Sequence, residues 1–194
     1  MWQYLVLLGA AVNLFGSAFC IRDTLRGETK PNRVTWLMWS VAPFIATGAG
    51  LAAGVTWAVV PVFMSGFIPF LVFLASFVNR NSYWKLGLSD YICGFLSVLA
   101  LVFWWLTKEP DIAIVFAILS DTFAAAPTLV KLWKYPESES VIVYEVGIFS
   151  ALTTFAAIKS WQFSELAFPI YVLCMDVILT LFFYGKRIFK NKIL

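Results

Sequence analysis

The sequence predicts an all-α integral membrane protein of seven transmembrane helices, laid out as two parallel three-helix repeats around one linker helix. Three observations predict it. Of the 194 residues, 61% are hydrophobic and only 13% charged. A soluble domain of this size needs more polar surface, so lipid must solvate much of the chain. Seven apolar stretches are separated by charged or turn-rich breaks. Lys and Arg then fall almost wholly on one side of the alternation that seven crossings produce.

In chain order the stretches cover residues 2–21, 35–55, 58–79, 91–107, 112–130, 141–158 and 163–185. A helix needs about 20 residues to cross ~30 Å of hydrocarbon, so most fit one crossing each. The first lacks a basic leader and runs into Arg22 with no small-residue cleavage site, which favours a retained helix over a signal peptide. The second and third together run to about twice a span length, so a tight turn near residues 54–58 must divide them. The fourth and sixth are on the short side. Ser138 or Ser140, with acids nearby, is a candidate cap for the sixth.

The basic residues fix the orientation. Arg22, Arg26, Lys30, Arg33, Arg80, Lys85, Lys131, Lys134, Lys186, Arg187, Lys190 and Lys192 lie on one side, and only Lys108 and Lys159 on the other. The positive-inside rule then puts the N-terminus outside and the C-terminus in the cytoplasm. Trp2, Tyr4, Trp57, Trp84, Trp104, Trp105, Trp133 and Trp161 sit near predicted helix ends, where amphipathic rings anchor at the headgroups. Topology thus explains the net charge of +3. The implied partner is the lipid bilayer and not a nucleic acid. The lack of an added targeting segment favours a prokaryotic inner (plasma) membrane.

The first three stretches overlay the last three. Phe19, Thr24, Leu25 and Lys30 match Phe123, Thr128, Leu129 and Lys134 at an offset of 104 residues, and Pro31 matches Pro136 at 105. Trp39 then lies over Tyr144, and Pro69 over Pro169 at an offset of 100. The units are residues 1–90 and 112–194, joined by 91–111. Three helices plus a linker make four crossings, so both units enter the membrane in the same direction and face each other across a cavity.

This layout resembles the SWEET and PQ-loop transporter superfamily. The shared features are the 3+1+3 order, the outside N-terminus and the intramembrane prolines of both units. Ala126-Pro127-Thr128-Leu129, followed by Lys131-Leu132-Trp133-Lys134, looks like a drifted PQ motif. Thr128 replaces its glutamine, and Asp23-Thr24 stands where the first unit would carry Pro-Gln. The PnuC vitamin transporters are similar in layout, and Trp36 and Trp39 echo their Trp-x-x-Trp feature. The resemblance implies the fold and a small-solute transporter, without a substrate.

The intramembrane acids are the sharpest chemical signal. Asp121 lies near the middle of the fifth stretch, Asp176 deep in the seventh, and Glu145 nearer the cytoplasmic end of the sixth. A carboxylate at the bilayer centre costs at least ~2.5–3.5 kcal/mol, so each should face protein or water. In the overlay Ser17, Ser40 and Ser76 match Asp121, Glu145 and Asp176. The predicted cavity is therefore acidic on one wall and hydroxylic on the other. Asn13, one turn before Ser17 on the same face, is a candidate for solute binding or for tying two helices together. Trp36, Trp39, Tyr144 and Tyr171 are candidate aromatic walls for a sugar or a cation. Interfacial anchoring is the competing reading, above all for Trp36. Pro43, Pro61, Pro69, Pro127 and Pro169 each free a backbone carbonyl inside a predicted span. They are either hinges for alternating access or static kinks.

Enzymatic chemistry has no support. The chain has no histidine, which removes the commonest metal ligand and the usual base near neutral pH. Cys20, Cys93 and Cys174 form no metal or redox motif and read as packing residues. No cofactor is implied. The expected function is transport of a small polar or cationic solute, with protons as candidate coupling ions. The alternative is a non-transporting sensor, receptor or assembly partner on the same fold. A homo-oligomer is compatible with either.

Overall fold

The computed structural model describes residues 2–82, 84–107 and 109–191, without the side chains of Ala100, Trp104 and 186–191. Lys108 and Lys192 of the charge pattern lie outside the described residues, as do the side chains of Trp104, Lys186, Arg187 and Lys190. Among the described residues the chain is helical throughout, with no strand. The seven main helices are α1 (Leu5–Arg26), α2 (Arg33–Ala52), α3 (Val59–Ala75), α4 (Leu88–Thr107), α5 (Pro110–Lys134), α6 (Ile142–Thr154) and α7 (Phe163–Asn191). Each apolar stretch of the sequence corresponds to one of them. Five segments are long and apolar enough to cross a membrane: Trp2–Arg26, α2, α4, α5 and Phe163–Gly185.

The other two helices are shorter than their apolar stretches. α3 has 17 residues and α6 has 13, about 26 and 20 Å at ~1.5 Å rise per residue. Both end by tightening into three-residue hydrogen bonds. Phe77 and Val78 donate to the carbonyls of Leu74 and Ala75, and Phe155, Ala156 and Ala157 donate to those of Leu152, Thr153 and Thr154. Such ends consume apolar residues that hydropathy assigns to the α-helix. α6 also starts without the predicted serine cap: its first flanking residue is Val141, and Ser138 donates instead to the Tyr135 carbonyl at 2.7 Å.

Glycine makes two of the chain reversals possible. Gly27 ends α1 at φ 80°, with its N–H on the Thr24 carbonyl and the Glu28 N–H on that of Asp23. This closes the helix in a Schellman turn. Gly54, at φ 84°, makes the predicted break between α2 and α3. At both positions a side chain would be strained by the left-handed backbone.

In packing, α3 contacts both α1 and α2, and α7 contacts both α5 and α6. Across the molecule α1 lies on α6 and α2 on α5, while α3 reaches α6 and α7 reaches α2. α4 packs on α5, with a smaller contact to α2. Close approach needs small residues. A Cβ at Gly9 or Gly16 of α1 would run into Thr153 or Val146 of α6. Between α2 and α5 the buried alanines Ala42, Ala46, Ala113 and Ala117 do the same work.

One end of the bundle, where α1 and α5 finish and α2 and α6 begin, is tied by a dense polar network. Lys131 pairs with Glu139 at 2.6 Å, both side chains 1% exposed, and also donates to the Lys30 carbonyl. Its ammonium stands 4.8 Å from the centre of the Trp84 ring. Asn32 caps α2 and donates to Asp90 of α4 at 2.6 Å. Arg33 holds the Ser76 hydroxyl at 3.1 Å and its carbonyl at 2.6 Å.

Candidate functional site

The site is a cavity in the middle of the bundle, lined by residues of every main helix except α4. Its volume is about 70 Å³. One water needs about 10–15 Å³ on this measure, so the space holds several waters or a small solute.

α5 presents Asp121 to this space because α2 grips it on either side. Thr35 donates its hydroxyl to the Ala124 carbonyl at 2.8 Å, and the Trp39 indole N–H reaches the Asp121 carbonyl at 3.3 Å. From behind, Ser97 of α4 donates to the Ser120 carbonyl at 2.8 Å. The Asp121 side chain is 6% exposed and accepts one hydrogen bond, from the Tyr171 hydroxyl at 2.8 Å. Tyr171 is therefore a holder of Asp121 and not a wall of the cavity.

Asp176 enters from α7 and rests against Gly147 of α6, where any Cβ would collide with its carboxylate. Among the described residues Asp176 has no hydrogen-bond or ion-pair partner. Two carboxyls thus line one space whose described lining contains no Lys or Arg. Opposite them, Asn13 of α1 lines the cavity, and Ser17 donates to its side-chain oxygen at 3.1 Å. That bond leaves the Asn13 amide NH₂ to face the space.

Aromatic and polar groups complete the walls. The rings of Trp36 and Trp39 meet edge to face at 5.6 Å, and those of Trp39 and Tyr144 at 6.2 Å. The Trp36 indole N–H, the Tyr144 hydroxyl and the hydroxyls of Ser150 and Thr154 are buried without a protein partner, and all four residues line the cavity. A buried polar group left unpaired costs about 1–3 kcal/mol. Four of the seven such groups among the described residues belong to lining residues, and those of Thr47, Ser120 and Thr180 lie elsewhere. Apart from Ser65, whose hydroxyl donates to the Val62 carbonyl at 2.7 Å, the remaining lining is apolar, with Pro43, Pro61, Pro69 and Pro169 among it. Pro43 and Pro69 remove the amides that would bond the carbonyls of Trp39 and Ser65, two further lining residues.

The structure therefore brings together Asp121, Asp176, Asn13, Trp39 and Tyr144 with four of the five candidate hinges, Pro43, Pro61, Pro69 and Pro169. Pro127 is buried in α5 away from the cavity. Glu145 is also elsewhere: it accepts the Tyr184 hydroxyl at 2.7 Å in an exposed pair. Neighbours on a helix point about 100° apart, so Tyr144 in the wall turns Glu145 out of it. The expected hydroxylic wall of Ser17, Ser40 and Ser76 does not form. Ser17 supports Asn13, Ser40 is buried outside the lining, and Ser76 ends α3 in the grip of Arg33. The hydroxyls that do line the space come from elsewhere, mainly Ser150 and Thr154 of α6. Tyr144, Gly147, Ala151 and Thr154 recur at three- and four-residue spacing, a small and polar helix face that could have been read from the sequence.

No family model matches this chain, and neither a curated protein nor a solved structure matches it.

Proposed function

We propose that the chain is a transporter that moves a small polar or cationic solute, in exchange or symport with protons, by alternating access between two three-helix units. In this reading residues 1–90 and 112–194 are parallel repeats related to the SWEET and PQ-loop transporters, in a prokaryotic inner membrane with the N-terminus outside. The helix packing supports the repeat. Exchanging α1 with α5, α2 with α6 and α3 with α7 turns each contact among these six helices into another that is present: α1 on α6 becomes α5 on α2, and α3 on α6 becomes α7 on α2. Such an exchange fits two like units that rock about a shared space.

One observation carries the function: Asp121 and Asp176 of the later unit meet Asn13 and Trp39 of the earlier one around a single cavity. Intramembrane carboxyls are costly, and a solute or proton pathway is their commonest use. The test is uptake of radiolabelled amines and polyols into proteoliposomes, with and without a pH gradient. Asp121→Asn and Asp176→Asn should each cut uptake by about tenfold or more, a loss of ~1.4 kcal/mol of transition-state stabilisation. Uptake unchanged in both variants, with elution profiles like the parent, would refute the transport reading.

A further inference from the structure

We infer that the solute is an organic monocation carrying a hydrogen-bonding tail, with its charged end held between Asp121 and Asp176 and its tail directed to Ser150 and Thr154 of α6. The inference rests on the reading of the cavity as the solute site and narrows its chemistry.

The charge of the lining comes first. The lining carries two carboxyls, Asp121 and Asp176, and no Lys or Arg among its described residues. Asp121 has one neutral donor, the Tyr171 hydroxyl. An anion would find neutral donors there but no cation to balance it beside two acids. A neutral polyol could hydrogen-bond the carboxyls but would leave unused the attraction that two acids without a basic partner offer a cation. Ca²⁺ or Mg²⁺ fits poorly, because these ions take six or more oxygen ligands. Among the described residues no three His, Cys, Asp or Glu side chains converge, and the third acid, Glu145, is engaged by Tyr184 away from the cavity. An organic cation meets the carboxyls with its charge and the apolar and aromatic walls with its body. Trp36, Trp39 and Tyr144 supply rings of the kind that attract alkylammonium groups.

The unpartnered groups are an independent pointer to a ligand. The Trp36 N–H and the hydroxyls of Tyr144, Ser150 and Thr154 belong to residues at most 3% exposed, and none has a protein partner. Their order along α6 gives the site a direction. Tyr144 lies one turn to one side of Gly147, where Asp176 rests, and Ser150 and Thr154 lie one and two turns to the other. The charged end and the polar tail of one small molecule are thus served by successive turns of one helix.

The test is isothermal titration calorimetry of the purified full chain in a non-ionic detergent with two probes: choline, and its uncharged carbon isostere 3,3-dimethylbutan-1-ol. The two share size and hydroxyl tail and differ in charge. Choline should bind about tenfold more tightly or better, and Asp176→Asn should shrink that preference to about twofold. Thr154→Val should weaken both probes by a similar factor, because it touches the tail and not the charge. The comparison of the two probes on the unaltered chain stands whether or not the variants fold. Equal affinity for both probes, or no binding of either, overturns the inference. Choline-selective binding by a chain that mediates no flux would keep this inference and end the transport reading. Flux of neutral polyols with no preference for cations would do the reverse.

Discussion

Two polar clusters in this molecule are built from the same kinds of side chain and treat them in opposite ways. At the basic end Lys131 has Glu139, the Lys30 carbonyl and the Trp84 ring. Thr24 there donates to the Cys20 carbonyl at 2.8 Å and lies 2.9 Å from the Thr29 hydroxyl. In the central cavity Ser150 and Thr154 have no partner within the described protein, nor does the half-buried Asp176, and Asp121 has one. Apart from Asp176, burial is similar in both places. What differs is completeness. A saturated network fixes loops from both ends of the chain and has nothing left to offer a ligand. An unsaturated one costs stability unless something else completes it. The contrast teaches that two buried polar clusters of one bundle can differ in how many partners their groups have.

The largest effect that would sharpen this contrast is at Lys131. Lys131→Met should destabilise the protein by about 3–5 kcal/mol, because Glu139 is left buried without a cation and the Lys30 carbonyl loses its donor. Adding Glu139→Leu to that variant should recover much of the loss, since an apolar pair of similar volume tolerates burial. Unfolding by denaturing detergent in mixed micelles measures both. A single variant as stable as the parent would mean that the network is not the lock described here.

A smaller effect is expected where Asp176 of α7 rests on Gly147 of α6. Gly147→Ala places a methyl group into the Asp176 carboxylate, which must turn aside. Overpacking of this kind costs about 1–3 kcal/mol. Uptake should fall along with it, because Asp176 leaves its position on the cavity wall. Normal uptake by a destabilised variant would separate Asp176 from function and leave it a packing residue.

The sequence made the helices legible and the site only partly so, for reasons visible in particular residues. Asp121 and Asp176 stand out because a charge in an apolar run has few places to go, and both line the cavity. Asn13 follows from its depth, and Trp39 and Tyr144 from their place as matching aromatics in the overlay. Glu145 is an acid in an apolar stretch like the other two, but it lies nearer the end of that stretch, and the helix turns it toward Tyr184. Ser76 was drawn there by the Pro69–Pro169 overlay. α3 is too short to carry the match: its last α-helical residue is Ala75, whereas Asp176 sits in the interior of α7. Trp36 looked like an interfacial anchor but is 1% exposed and lies one turn from Trp39 in the cavity wall. At the end of α1 the apolar run stops at residue 21 but the helix continues to Arg26, because the Gly27 turn and not hydropathy ends it.

The smallest effect is the most discriminating, because its sign differs between the clusters. Thr24→Val at the basic end deletes a hydroxyl that donates to the Cys20 carbonyl and lies within hydrogen-bonding distance of Thr29, so it should cost about 1–2 kcal/mol. Thr154→Val deletes a buried hydroxyl of the same size that has no protein partner. It should leave unligated stability within about 0.5 kcal/mol of the parent or raise it, since removing an unpaired polar group removes its desolvation cost. The paired measurement is thermal unfolding of both variants in the same detergent. Equal losses at the two positions would show that Thr154 is satisfied in the folded protein, and the cavity would then be another saturated network like the one at the basic end.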